Sequence, residues 1–313
     1  MKKILKNIIK KERSGNKRKI TLFGFIKISY KKNIKLGLKN IYLCSFADEK
    51  FMFAQRILNY TAEKHHIYNI FSYSPDSYKD TEFYRRNSDI LNQKRGHGYW
   101  LWKPWVILES LKKINEGDFL IYADSGSFII DDVKPLINLC KKKNGILVFE
   151  NEHQYINIHW TKKAAFEIMN ANTEEYWKHT QADAAFLVVQ KNNFTVKFIK
   201  EWLEYGTNPM LITDEPSPSG NYDSFIEHRH DQSILSILAQ KHKLEFFRCP
   251  SQHGNYRKSL WLRIFGEPKD HRPYSNTLKN SPYGQIFHHH KLFPYGLKYD
   301  NKYQLFNKKH IIY

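Results

Sequence analysis

The chain is poor in cysteine and has no long apolar run. Its three cysteines, Cys44, Cys140 and Cys249, are odd in number and widely spaced, with no Cys-x-x-Cys pair. That spacing excludes a disulfide framework and makes a reducing cytoplasm the natural compartment. No stretch approaches the ~20 apolar residues that span a bilayer. Ile4-Leu5 and Ile8-Ile9 are too interrupted by lysine to form a signal-peptide core. Several chemical signatures are missing as well. A GxxxxGK[ST] loop, a GxGxxG turn after the first strand, an HExxH pair and a GxSxG elbow are all absent. Their absence argues against P-loop, dinucleotide-binding, zinc-protease and hydrolase chemistry.

What is present is an ordinary folding composition. Hydrophobic residues make up 41% and charged residues 26% of 313 positions, enough for one large α/β domain or two small ones. Aromatics reach 15%. That suits the stacking of planar or ring-shaped ligands, and equally plain core packing. The formal charge is +19, but it is unevenly spread. Residues 1–39 hold twelve Lys and two Arg against one Glu, so +13 of the excess sits in an N-terminal arm.

Residues 1–12 (MKKILKNIIKKE) place Ile4, Leu5, Ile8 and Ile9 on one helical face among lysines. This spacing predicts a basic amphipathic helix that can lie on an anionic membrane surface; a solvated tail is the alternative. Residues 17–30 read as a small hairpin around Gly24. The arm therefore spans 1–38. A main domain over 39–250 comes next, then an irregular, aromatic and basic extension over 251–313.

In the main domain, strands alternate with helices. Strands are expected at Ile41–Ser45, Ile67–Tyr73, Phe119–Ala123, Ile146–Glu150, Ala184–Gln190 and Leu244–Arg248. Helices are expected over 48–65, from Pro104 to Lys113, and over 131–143, 161–170, 192–205 and 230–242. Residues 76–95 read as a polar connection, and 206–224 as a long loop of the kind that is functional or mobile. The alternation predicts an α/β fold with a mixed, mostly parallel sheet flanked by helices.

Open α/β sheets bind ligands at the carboxyl ends of their strands. There the sequence puts Tyr122-Ala123-Asp124-Ser125-Gly126-Ser127. An acid after a buried strand, followed by small residues, can hold Mg²⁺ or Mn²⁺ and leave room for a diphosphate. It can equally make a turn and cap the next segment. A second group, His228-Arg229-His230-Asp231-Gln232-Ser233, opens a helix; Asp231 either caps it or faces a sugar with Gln232. A third, Gly96 to Pro104, offers Gly96 and Gly98 for close backbone approach, Tyr99, Trp100 and Trp102 either as flat surfaces or as core, and Lys94, Arg95 and Lys103 as phosphate partners. The tract His288-His289-His290-Lys291 either completes a metal site through His288 or is a surface run. Glu150 and Glu152 near His153 either form a carboxylate–imidazole pair or cover a strand end.

The strand ending in Tyr122-Ala123-Asp124-Ser125-Gly126 resembles the degenerate DxD segment of GT-A glycosyltransferases. Gly98–Pro104, the strand Ala184–Gln190 with Lys191-Asn192, and His230-Asp231-Gln232-Ser233 are similar to bacterial glycosyltransferases of surface polysaccharide and lipopolysaccharide synthesis. The resemblance covers about residues 39–250. It implies a GT-A-like (Rossmann-like) fold, a nucleotide-sugar donor with UDP-sugars favoured, and a divalent cation, Mn²⁺ or Mg²⁺. It also implies a glycan or lipid-linked acceptor and a cytoplasmic enzyme on the inner membrane face. Carried over by motif, Asp124 is the metal or ribose residue, helped by His288, and Asp231 with Gln232 is the sugar-facing pair. Ser125, Gly126, Lys94, Arg95, Gly98, Tyr99, Trp102 and Lys103 join Asp124 around the donor. Ser125-Gly126 stands where the pattern has its second acid, which leaves a metal-independent enzyme open. Two other readings remain: a basic nucleic-acid-binding protein, which the confinement of charge to one arm disfavours, and an inactive scaffold of the same fold.

Overall fold

A computed structural model describes residues 40–151, 155–254 and 280–290, and the backbone of 9–14, 17–22 and 26–31. The chain divides into two compact units, residues 1–39 and 40–313.

In the first unit, β1 (Ile9–Ser14), β2 (Lys17–Leu22) and β3 (Ile26–Lys31) form an antiparallel meander. The hairpin expected over 17–30 is β2 and β3, with Leu22 opposite Ile26. The helix expected over 1–12 is corrected where it can be seen. Residues 9–12 are strand, with Ile9 opposite Leu22 and Lys11 opposite Ile20. Pairing with β2 gives this segment a partner along its length, whereas an isolated helix this short is marginal in water. Residues 1–8 lie outside the described part.

In the second unit a six-stranded sheet carries the core, in the order β10-β8-β9-β6-β4-β5. The strands are β4 (Ile41–Phe46), β5 (Asn69–Tyr73), β6 (Phe119–Ala123), β8 (Ile146–Glu150), β9 (Ala182–Gln190) and β10 (Phe246–Phe247). β9 runs antiparallel to both β6 and β8, and every other neighbouring pair is parallel. This is the mixed, mostly parallel sheet that the alternation predicts. β6 is buried at all five positions, as an apolar strand covered on both faces must be.

Helices α1 (Met52–Lys64), α2 (Glu82–Leu91), α3 (Trp102–Lys113), α4 (Lys134–Lys142), α5 (Lys163–Ile168), α6 (Asn193–Gly206) and α7 (Asp231–Lys241) flank the sheet. Asn192 starts α6 with a capping box, its side chain accepting from Thr195 N at 2.8 Å while Thr195 Oγ1 accepts from Asn192 N at 3.0 Å. α3 buries nine of its twelve residues, Lys103 among them. α2 lies in the stretch expected to be a polar connection. Only Ile90 and Leu91 of its ten residues are buried, and Glu82, Arg85 and Arg86 pair along its exposed side. That charge conceals the helical period.

Two short strands were not expected. β7 (Ser127–Ile129) and β11 (Phe287–His289) pair antiparallel, with Ser127 opposite His289. Through them, part of the C-terminal extension returns to the carboxyl end of β6. Residues 255–279 and 291–313 lie outside the described part. Among the described residues, no helix is long and apolar enough to cross a membrane.

Candidate active site

The site forms where β6 runs out. Asp124 N donates to Ala185 O at 2.9 Å, extending the ladder to β9 by one residue. Ser127 Oγ then donates to Asp124 O at 2.6 Å and closes the turn. Ser125 is buried in this turn, so its small size serves the fold here.

Lys103, on the first turn of α3, binds the site together. Its ammonium lies 3.0 Å from Asp231 Oδ2 and 3.5 Å from Asp124 Oδ1, and it donates to Ala184 O at 3.0 Å. Its side chain is only 4% exposed, with Asp231 at 6% and Asp124 at 36%. Burial pulls the lysine's pKa down, but the charges of Asp124 and Asp231 outweigh it and leave the ammonium favoured. Burial raises the Asp231 carboxyl to about 6; Lys103 opposes that rise, and the charge of Asp124 adds to it. Tyr122 donates to Asp124 Oδ1 at 2.5 Å. The Asp124 side chain is the most exposed of the three, at 36%.

Backbone strain flanks this triad on both sides. Gly96, His97, Gly98, Tyr99 and Trp100 all have positive φ, between 52° and 91°. Three of the five are not glycine, and each such residue costs on the order of 1–2 kcal/mol. Local bonds hold the turn: Gly98 N to Gln93 O at 2.8 Å, Tyr99 N to Arg95 O at 2.7 Å, and Trp102 Nε1 to Gly96 O at 3.0 Å. Across from it, His230 has φ 52° and ψ −119°. Its ring lies 5.0 Å from Tyr99 and 5.5 Å from Trp100, and its Nδ1 contacts Ile212 O at 2.8 Å. Lys103 closely follows one strained segment, and Asp231 directly follows the other. Strain of this kind gathers where geometry is fixed for function.

Gly98 admits no side chain. A Cβ there would stand 2.7 Å from Leu91 Cα, at φ +91°. Gly98→Ala is expected to lower stability by about 2–4 kcal/mol, from a forbidden φ plus a clash with backbone. A fall in the urea midpoint checks it.

The structure gathers some of the expected residues and separates others. Asp124, Lys103 and Asp231 come together. Gln232, half-buried next to Asp231, donates through Nε2 to Gln181 Oε1 at 2.7 Å. Trp102 is corrected to a core residue: its ring stacks on Phe46 at 3.9 Å and offers no face to a ligand. Gly98 is likewise a packing position. Arg95 pairs with Asp214 at 3.1 Å and with Glu227, so its charge is already answered. Those pairs pin the segment between α6 and α7 against the strained turn. Lys94 is exposed, and Tyr99 packs on His230. Gly126 lies under the extension, with His290 O 3.7 Å from where its Cβ would stand.

The histidine tract splits by strand alternation. His288 and His290 both pack on Phe128, with ring centroids 5.2 and 5.6 Å away. His289 faces the other way, 4.8 Å from Phe186, which pairs with Ala123. Burial and nearby His253 lower its pKa to about 3, and the charge of Asp124 works against that. The His289 imidazole therefore senses the charge of Asp124. Among the described residues no three His, Cys, Asp or Glu side chains gather as a metal site. The donors fit a cation shared with a ligand's phosphates, as hard cations often are; they do not fit one held by protein alone. Glu152 and His153 lie outside the described residues.

One residue of this neighbourhood gave no signal in the sequence. Gln181 joins Gln232 to Thr161 and Ser233. Contacts across 20 to 52 residues of chain leave no local pattern.

No family model matches the sequence, and no curated protein matches it. Among solved structures the chain is similar to mouse xyloside xylosyltransferase 1 in its apo form, at 9% identity over 80% of this chain and 98% of that one, with a TM-score of 0.43. It is similar to the apo structure of the bifunctional glycosyltransferase WbbM, at 9% identity over 83% of this chain and 46% of that one, TM-score 0.44. It is also similar to galactosyltransferase LgtC in complex with donor and acceptor sugar analogs, at 14% identity over 80% and 87% of the two chains, TM-score 0.39.

Proposed function

We propose that the chain is a glycosyltransferase that moves a sugar, a hexose by preference, from a nucleotide-sugar donor to a glycan or lipid-linked acceptor of the bacterial cell surface. One observation carries this reading: two carboxylates, Asp124 and Asp231, are drawn onto one buried ammonium at the carboxyl end of the central strand of an open α/β sheet. Ligands of such sheets bind there. The motif order around Asp124, Gly98–Pro104 and Asp231-Gln232 supports the same chemistry.

In this reading Asp124 faces the donor, and Gln232 faces the sugar. Asp231 is buried, so it acts by holding Lys103 and the start of α7 in place and does not touch the sugar. Asp124, with His289, would hold a divalent cation together with the donor's diphosphate. A cation bound there would offset the negative charge of the leaving group. Lys103, 3.5 Å from Asp124 Oδ1, keeps that carboxylate aimed for the task. The N-terminal arm, with its +13, is the part suited to an anionic membrane surface.

Ligand-induced stabilisation tests the reading. A ligand at 100 times its Kd adds about 2.7 kcal/mol, a Tm rise of several degrees. UDP-sugars with Mn²⁺ are expected to give that rise, GDP- and CMP-sugars less, and Mn²⁺ alone none. Failure of every nucleotide diphosphate to shift Tm, with or without Mn²⁺, sinks the reading in favour of a scaffold.

A further inference from the structure

Next to Gln232 lies a cluster that the donor site does not use. Tyr155 and Trp160 are half-buried, with ring centroids 4.7 Å apart. The guanidinium carbon of Arg229 lies 5.3 Å from the Tyr155 ring and 4.9 Å from the Trp160 ring. Arg229 is 34% exposed, and its only ion pair among the described residues is with Glu227, at 3.6 Å. Glu227 is itself shared with Arg95. Among the described residues the guanidinium donates no hydrogen bond, and its buried Nε has no acceptor. Five N–H donors with so little to bind are unusual in a half-covered position. Ile226, beside them, is 63% exposed.

The cluster is fixed to the proposed active site. The carbonyl of Trp160 accepts from Arg229 N at 3.1 Å, from Ser233 Oγ at 2.8 Å and from Gln181 Nε2 at 3.0 Å. Gln181 in turn holds Gln232. Tyr155, Trp160 and Arg229 therefore stand in fixed relation to the first turn of α7. Ile226 N and Glu227 N both donate to His159 O, which keeps the segment before Arg229 in register.

We propose that Tyr155, Trp160 and Arg229 form a subsite for the acceptor, and that the acceptor saccharide carries an anionic group. This rests on the glycosyl-transfer reading above. The aromatic rings suit the apolar face of a pyranose. The planar fork of Arg229 suits a carboxylate or a phosphate, which it can bind through two parallel hydrogen bonds. A uronic acid and a sugar phosphate both supply that chemistry.

Saturation-transfer NMR tests it on the full chain with three probes: methyl glucuronide, glucose 6-phosphate and methyl glucoside. One or both anionic probes are expected to bind, and which of them binds identifies the group. Arg229→Gln should weaken that binding by about 10- to 100-fold, the scale of hydrogen bonds to a charged group. Trp160→Ala should weaken it as well; if that variant does not fold by circular dichroism, Arg229→Gln carries the test alone. Equal binding of methyl glucoside, or full binding of an anionic probe to Arg229→Gln, overturns the proposal. No binding of any probe, alongside a Tm rise with UDP-sugars, also overturns it and leaves glycosyl transfer standing. Probe binding that Arg229→Gln abolishes, without any nucleotide response, supports the saccharide subsite and removes the donor reading instead.

Discussion

Lys103→Met is expected to lower the unfolding free energy by about 3–5 kcal/mol, the cost of removing one partner from a buried ion pair. Methionine fills nearly the same volume, so packing changes little. What remains is two carboxylates facing each other with no cation between them, one of them almost fully buried. The carbonyl of Ala184 loses its donor too. The size of the loss separates this view from a simple surface ion pair, which is worth about 0–1 kcal/mol. Adding Asp231→Asn to Lys103→Met should restore part of the loss, because it removes the buried charge that the first change stranded. Contacting residues show coupling energies of about 0.5–3 kcal/mol in such cycles. Urea denaturation of the two single variants and the double variant measures it. Strict additivity would rule out the triad as a unit.

The fold was largely legible in the sequence, because its signals are local. β6 is a five-residue apolar run stopped by Asp124, and β9 and α6 announce themselves by composition and an Asn cap. α2 escaped because its exposed side is densely charged. β7 and β11 escaped because three-residue strands carry no period and their partners are far apart in sequence. The site was legible in part for the same reason. Asp124 stands at a strand end, where any reading looks first. That Lys103 is a buried clamp and not a phosphate arm is a property of α3 facing β9, 81 residues away. Trp102 and Lys103 are neighbours in sequence, yet one packs on Phe46 and the other reaches the acids. No count of aromatics distinguishes those fates.

The same triad predicts opposite pH trends for stability and activity. The Asp231 carboxyl is raised to about 6 in the folded protein, from an ordinary value near 3.8. The folded state therefore holds this proton more tightly than the unfolded chain does. The resulting stabilisation is fully present below about 3.8 and is lost as pH rises through about 6. Activity should run the other way. Below about 6, Asp231 becomes neutral, Lys103 loses one of its two counter-charges, and the geometry that aims Asp124 relaxes. Donor hydrolysis is thus expected to fall as pH drops through about 6 while the domain stays folded. Asp124→Asn should do two things. It removes the carboxylate that faces the donor, at a cost on the order of 10²- to 10³-fold in rate, the scale of losing one preorganised electrostatic group. It also removes the like charge that raises Asp231, so the acid limb of the residual activity should move to lower pH. A Cγ chemical-shift titration of Asp231 reads that second effect without relying on the residual rate. An Asp231 titration that stays where it was in Asp124→Asn would mean that the two acids do not sense each other, and the triad would lose its claim to be the site.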